Sequence, residues 1–231
     1  MLILGFQKLT LLDFPEHTAC TVFTGGCNLR CPFCHNALLV TDMETEEAVD
    51  EAEIFAFLEK RKKLLDGVAV TGGEPHLQKG LEEFLRKVKE MGYAVKLDTN
   101  GFFPERLKAI VKEGLADYVA VDIKNSPEKY AETTGIPGLD ITPLEETIRF
   151  LKEDPVSYEF RTTVVREFHE VRDFEAMGEW IRGARRWYLQ KFVDSGYLIG
   201  ENMSPVPKDE MLRMLEIARK YADQAALRGV D

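Results

Sequence analysis

The chain is poor in the residues that would staple it covalently or carry it across a bilayer. Four cysteines in 231 residues are too few for a disulfide-dense secreted framework, and three of them crowd into positions 27–34 instead of being spread for cross-links. No uninterrupted apolar stretch approaches the ~18 residues expected of a membrane span. Met1-Leu2-Ile3-Leu4-Gly5 lacks the basic leader, core length and cleavage site of a signal peptide. A basic surface is missing too: 30 Lys and Arg against 40 Asp and Glu leave a net charge of -10, the wrong sign for a chain whose main partner is nucleic acid. The one dense basic run, Lys60-Arg61-Lys62-Lys63, reads as the solvated end of a helix. Ser/Gly linkers, low-complexity tracts and exact repeats are also lacking. These absences lead us to expect one domain, in a cytoplasmic protein whose thiols stay reduced.

What is present is a regular alternation. At 45% hydrophobic and 30% charged residues, the composition is that of a soluble globular chain long enough for one sizeable core. Compact apolar runs at Cys20 to Thr24, Gly67 to Thr71, Tyr93 to Leu97, Tyr118 to Ile123, Tyr158 to Val165 and Trp187 to Val193 read as six strands. Segments with apolar residues at helical spacing separate them, the best patterned carrying Leu81, Phe84, Leu85, Val88 and Met91. Thr142-Pro143-Leu144-Glu145 reads as a capping box. Strands alternating with helices specify βαβ units and a parallel sheet. Six are too few for a closed eight-stranded barrel, so the α/β fold expected is a partial (β/α)6 TIM-like barrel, with a doubly wound open sheet as the alternative. The core spans about residues 18–195, after an N-terminal lead-in over 1–17 and before a C-terminal helix over about 207–227.

Cys27, Cys31 and Cys34 are spaced C-x3-C-x2-C in the loop after the first of the six strands. Clustered cysteines in a chain without a secretory segment point to metal chemistry and away from disulfides. A Cys3His zinc site would have to use His35, which directly follows Cys34 and falls outside the usual ligand spacing. A four-iron cluster takes four thiolates, so a trio leaves one iron open for a substrate or cofactor. Cys20, within a strand, reads as a buried small apolar residue.

This cysteine spacing resembles the signature of the radical S-adenosylmethionine (SAM) enzymes. The wider context, Asp13-Phe14-Pro15 and then Cys31-Pro32-Phe33-Cys34-His35-Asn36, is similar to the activating proteins of anaerobic ribonucleoside-triphosphate reductase. The resemblance implies a [4Fe-4S] cluster on the three cysteines and SAM on the open iron. It also implies cleavage of SAM to methionine and a 5'-deoxyadenosyl radical, and removal of a hydrogen atom from a glycine of a partner protein. That partner would be anaerobic ribonucleotide reductase or another glycyl radical enzyme, with flavodoxin or ferredoxin as electron donor. In such a family Phe33 meets the adenine through its main chain, and Gly72-Gly73-Glu74 meets the methionine amino group. His76 departs from the threonine more common in that branch.

The remaining candidates fall at strand ends, where ligands of parallel sheets bind. Glycines at 72 and 73 permit close backbone approach, and Glu74 suits an ammonium group. Asp98 and Asn100 suit ribose hydroxyls or a sulfonium, although Asn100-Gly101 is also a common turn pair. Asp122 and Lys124 share one side of their strand, as holders of SAM's ribose or carboxylate or as a plain ion pair. Arg161, early in a β-branched strand, calls for a carboxylate, either SAM's own or that of an interior aspartate or glutamate. His169, in a loop four residues past Val165, could face the site from that loop, and a surface position is the reading preferred.

Overall fold

The computed structural model describes residues 1–45 and 47–230. Eight strands follow one another in the sheet in the order in which they occur along the chain. A doubly wound sheet reverses its strand order at a switch point; sequential order without reversal is the winding of the barrel type. The six expected strands are β2 (Ala19–Thr24), β3 (Gly67–Gly72), β4 (Ala94–Thr99), β5 (Tyr118–Asp122), β6 (Ser157–Val164) and β7 (Ala184–Lys191). β1 (Ile3–Thr10) precedes them and runs antiparallel to β2, with Gly5 opposite Phe23. The helices are α1 (Leu38–Thr41), α2 (Glu51–Arg61), α3 (Leu81–Glu90), α4 (Pro104–Lys112), α5 (Tyr130–Thr133), α6 (Thr142–Lys152), α7 (Asp173–Ile181) and α8 (Lys208–Ala218).

Two expectations fail at the C-terminal end and at α6. The helix expected over about 207–227 stops at Ala218, and Ala222–Arg228 forms an eighth strand, β8, parallel to β7 with Tyr188 opposite Ala226. Pairing with β7 overrides the helix propensity of this alanine-containing stretch. At α6 the expected capping box is not made: Ile141 is the N-cap without a side-chain cap, and Asp140 Oδ1 before it accepts from the Thr142 backbone N–H at 3.0 Å and from its hydroxyl at 2.7 Å.

The chain divides into two compact units, the first comprising Met1–Asn28, Asn36–Thr99 and Phe103–Val119, the second Leu29–His35, Asn100–Phe102 and Ala120–Asp231. In the first, β2, β3 and β4 are parallel, with Thr21 opposite Ala69 and Val70 opposite Leu97. Val22, Val68, Val70, Val95 and Leu97 of these strands are buried, as are Ile54 and Leu58 of α2 and Phe84, Leu85 and Val88 of α3, spaced at one helical face. α3 carries Glu82 and Glu83 in its first turn and Lys87 and Lys89 in its last, which complements the helix dipole. Cys20 is fully buried, and burial pushes its thiol up to about 12, so it is a packing residue.

In the second unit β6, β7 and β8 are parallel, with Arg161 opposite Tyr188. The core there centres on Trp187, whose ring stacks on Phe174 at 5.8 Å and whose indole N–H donates to Thr162 Oγ1 at 2.9 Å. A buried indole keeps its donor satisfied in this way.

Candidate functional site

The first unit holds Cys27, Gly72, Gly73, Glu74 and Asp98. Gly72 has φ 121°, a backbone conformation that side chains oppose, and a Cβ there would lie 2.2 Å from Thr24 N. A Cβ on Gly73 would lie 1.9 Å from Gly26 O. The close approach demanded by these glycines is therefore to the backbone that leads into Cys27. It is sealed by Gly73 N–H donating to Thr24 O and Glu74 N–H donating to Gly26 O, both at 2.8 Å. Asn36 adds a bond from Nδ2 to Gly72 O at 2.9 Å. The end of β3 thus acts as a buttress for the start of the cysteine loop.

Glu74 is 0% exposed, and its Oε1 accepts three times. The donors are the His76 backbone N–H at 3.1 Å, His76 Nδ1–H at 2.7 Å and the Thr99 hydroxyl at 2.9 Å. A carboxylate only accepts, so Nδ1 carries the proton of this bond, and the other ring nitrogen is Nε2. That nitrogen is buried and has no hydrogen-bond partner among the described residues. Two residues before Asp98 on β4, Lys96 is 1% exposed and donates to Asp98 Oδ1. Lys96 and His76 escaped sequence reasoning. The signal for Lys96 was a lone cation at a core-facing position of a strand; for His76 it was the departure from threonine.

The second unit holds Cys31, Phe33, Cys34, Asn100, Asp122, Lys124 and Arg161. Arg30 N–H donates to Thr134 O at 2.9 Å, Cys34 N–H to Cys31 O at 3.0 Å and Gly200 N–H to Pro32 O at 2.7 Å, so the loop's backbone is tied down around the two thiols. Phe33 is buried, its ring 5.6 Å from that of Phe168. Asn100 Oδ1 accepts from Phe102 N–H at 3.1 Å, closing a local turn.

Asp122, the last residue of β5, accepts from Arg161 Nε at 2.9 Å on Oδ1 and from Lys124 Nζ at 3.1 Å on Oδ2. Burial pushes its carboxyl up, but the charges of Arg161 and Lys124 outweigh that and hold it well below the usual carboxylate range. Burial likewise opposes the charge on Lys124, and the charges of Asp122 and Cys31 reverse that and push its ammonium well above the usual range. The interior carboxylate called for by Arg161 is thus Asp122.

His169 is not on the surface: it is 3% exposed, and its Nδ1 accepts from Val165 N–H at 3.1 Å while Nε2–H donates to Lys124 O at 2.8 Å. It satisfies two backbone groups that the loop after β6 and the end of β5 would otherwise bury bare.

No disulfide involves any of the four cysteines, and no helix among the described residues is long and apolar enough to cross a membrane. Among the described residues no three His, Cys, Asp or Glu side chains gather into a group for a single metal ion. The donor set at 27, 31 and 34 consists of thiols alone, and the approach to Cys27 is built from the closely packed backbone of Gly26, Gly72 and Gly73. Both features fit thiolate ligation of an iron-sulfur cluster.

Comparison with known proteins agrees. A family model, the radical SAM superfamily, matches residues 21–181. The chain is 33% identical over 236 residues to a protein of Methanocaldococcus jannaschii named "Putative glycyl-radical enzyme activating enzyme", covering 100% of this chain and 97% of that one. It is 32% identical over 143 residues to the pyruvate formate-lyase-activating enzyme of Staphylococcus aureus, covering 57% of each. Among solved structures it resembles Streptococcus suis SuiB bound to S-adenosylmethionine, with TM-score 0.68 and 14% identity over 88% of this chain and 48% of that one. It also resembles anSMEcpe with bound AdoMet, with TM-score 0.62 and 17% identity over 85% and 58%. With its cysteine loop at the end of the first parallel strand and this family model spanning most of its length, the chain belongs to the radical SAM superfamily.

Proposed function

We propose that this enzyme is a radical SAM activating enzyme that installs a glycyl radical on a partner, with anaerobic ribonucleoside-triphosphate reductase as the target. The observation that carries the reading is the C-x3-C-x2-C loop at the end of β2, in a chain whose whole length aligns at 33% identity with a protein named for glycyl-radical enzyme activation. Cys27, Cys31 and Cys34 would hold a [4Fe-4S] cluster. When bound, that group supplies the single electron that breaks a carbon-sulfur bond of SAM. The chain's own residues bind and orient. The backbone at Gly72 and Gly73 offers polar groups to the methionine amino end, while the Glu74 carboxylate secures the turn they belong to. Lys124 and Arg161 serve the methionine carboxylate, sharing Asp122 as their fixed anion. Phe33 covers the adenine side, and Asp98 and Asn100 serve the ribose end. No side chain is assigned general acid or base work.

Flavodoxin or ferredoxin fits as the electron donor, because the chain carries only the one cysteine trio and so has no second cluster of its own. A second reading, the same chemistry on a pyruvate formate-lyase-type enzyme, is favoured by the match to the S. aureus activating enzyme. One experiment separates them. Reduced, reconstituted protein is incubated with SAM and either candidate partner, and electron paramagnetic resonance is used to look for the glycyl doublet. A doublet on the reductase is expected. A doublet on the formate-lyase alone reassigns the target, and 5'-deoxyadenosine formation with neither partner showing a doublet overturns the activating role.

A further inference from the structure

The parallel strands of the second unit have two unlike faces. Side chains alternate along a strand, and residues paired across a parallel ladder share a face. On one face Tyr158, Phe160, Trp187 and Leu189 are buried, with Trp187 packed on Phe174 of α7. The other face carries Arg161 opposite Tyr188, Thr163 opposite Gln190, and Arg228 of β8 opposite Gln190 in turn. No residue that β6, β7 or β8 places on this second face is aliphatic and larger than alanine. The interior of a closed barrel is packed with Val, Ile and Leu at such positions.

The guanidinium groups of this face are already matched by carboxylates. Arg161 Nε donates to Asp122 at 2.9 Å. Arg228 donates from both terminal nitrogens to the fully buried Glu159, and its guanidinium lies 3.8 Å from the centre of the Tyr188 ring. The neutral groups are not matched. Thr163, Tyr188 and Gln190 are half-buried, and among the described residues their side chains make no hydrogen bond. Donors and acceptors held on a rigid sheet beside neutralised cations suit an uncharged polar ligand, since an anion would have to compete with a carboxylate. The peptide group is such a ligand: it offers one N–H and one C=O, and the glutamine amide carries the complement of both. Tyr188 and Gln190 lie two residues apart on β7, about 6.6 Å, the repeat at which an extended chain turns like groups to one side. The face also continues into the candidate site, because Asp122 joins Arg161 to Lys124.

We infer that this face of β6 and β7 receives an extended, uncharged segment of the partner polypeptide, the one that carries the target glycine. Thr163, Tyr188 and Gln190 hydrogen-bond its backbone. The inference rests on the glycyl-radical reading and adds to it the surface on which the polypeptide lies.

The test follows the glycyl doublet by electron paramagnetic resonance against the concentration of whichever candidate partner shows it, with reduced, reconstituted protein and SAM. Gln190→Ala, Thr163→Val and Tyr188→Phe, the last keeping the ring beneath Arg228, are each expected to raise the half-saturating partner concentration about fivefold, as loss of a neutral hydrogen bond should. Gln190→Ala combined with Thr163→Val is expected to raise it more than either alone. The doublet reached at saturating partner, and the 5'-deoxyadenosine formed without partner, are expected to stay as they are in the unchanged protein. A merely structural role would lower both and leave half-saturation where it was. The inference is overturned if the folded double variant shows no change in half-saturation or forms 5'-deoxyadenosine more slowly without partner. It is also overturned if inorganic pyrophosphate competes with the partner in the unchanged protein and not in the double variant, which would make the face an anion site. Should the double variant not fold, Tyr188→Phe decides by the same readings. If the unchanged protein yields a doublet on no partner, the glycyl-radical reading itself falls, and this inference with it.

Discussion

The two sets of charged residues at the strand ends are opposite in balance. In the first unit two anions, Glu74 and Asp98, accompany one cation, Lys96; in the second one anion, Asp122, accompanies two cations, Lys124 and Arg161. On the proposed reading, the methionine carboxylate of SAM is served by Lys124 and Arg161. The manner differs too. Glu74 is fully buried and accepts from His76 of its own turn and from Thr99 of β4, whereas Asp122 keeps 28% of its side chain exposed and accepts from two cations.

Removing the shared anion should have the largest effect. Asp122→Ala leaves two mostly buried cations facing each other and is expected to cost about 3–5 kcal/mol of unfolding free energy. Lys124→Met retains the Asp122–Arg161 pair and should cost less than half of that. Urea denaturation of the two variants checks the difference, and equal losses would show that the second set is not built around Asp122. Next in size is an effect on binding. Arg161→Gln is expected to weaken SAM about tenfold to a hundredfold, as loss of a charge-assisted contact should. Binding of 5'-methylthioadenosine, which has no methionine carboxylate, should be unaltered. If both ligands weaken alike, the cationic set does not serve the carboxylate.

How far these sets were legible in the sequence differs in the same way. Asp122, Lys124 and Arg161 could be found because alternation along β5 and β6 gives their facing directly, and a guanidinium within a strand demands an anion. The glycines of the first set were legible as a close approach, but what they approach was not. Gly73 meets Gly26 O, a partner 47 positions earlier, and only the pairing of β2 with β3 brings the two together. Lys96 was passed over because a lysine amid apolar strand residues looks like a solvent-facing position of an alternating pattern. His169 was placed at the surface because nothing local announces that two backbone groups, at Val165 and Lys124, lack partners. β8 was read as helix because Ala222 to Arg228 has no β-branched residue and is poor in strand formers. Its pairing with β7 and the two bonds from Arg228 to the buried Glu159, at 2.7 and 2.8 Å, are long-range gains invisible in a window of that size.

A smaller change sharpens the account of the first set. Thr99→Val keeps the shape and removes one of the three donors to Glu74 Oε1. It is expected to cost about 1.5 kcal/mol, the low end for a hydrogen bond to a charged group. A cost near zero in urea denaturation would mean that the other donors enclose Glu74 without it.

The smallest expected effect is the pH dependence that buried His169 contributes. Burial pushes the His169 imidazole down, and hydrogen bonds to Lys124 and Val165 only partly offset this. A folded-state value below the unfolded one near 6.5 means that the unfolded chain binds the proton more readily. The stabilisation is thus fully present above about pH 6.5 and is lost as pH falls below it, at up to about 1.4 kcal/mol per unit. Partial burial, followed by the charge of Lys124, lowers the His35 imidazole as well, but His35 is exposed and solvent screening makes its share of the slope smaller. His169→Gln should therefore flatten the fall in stability between pH 7.5 and 5.5 in part, and His35→Gln with His169→Gln further. A His169→Gln variant with an undiminished slope would mean that the slope arises elsewhere.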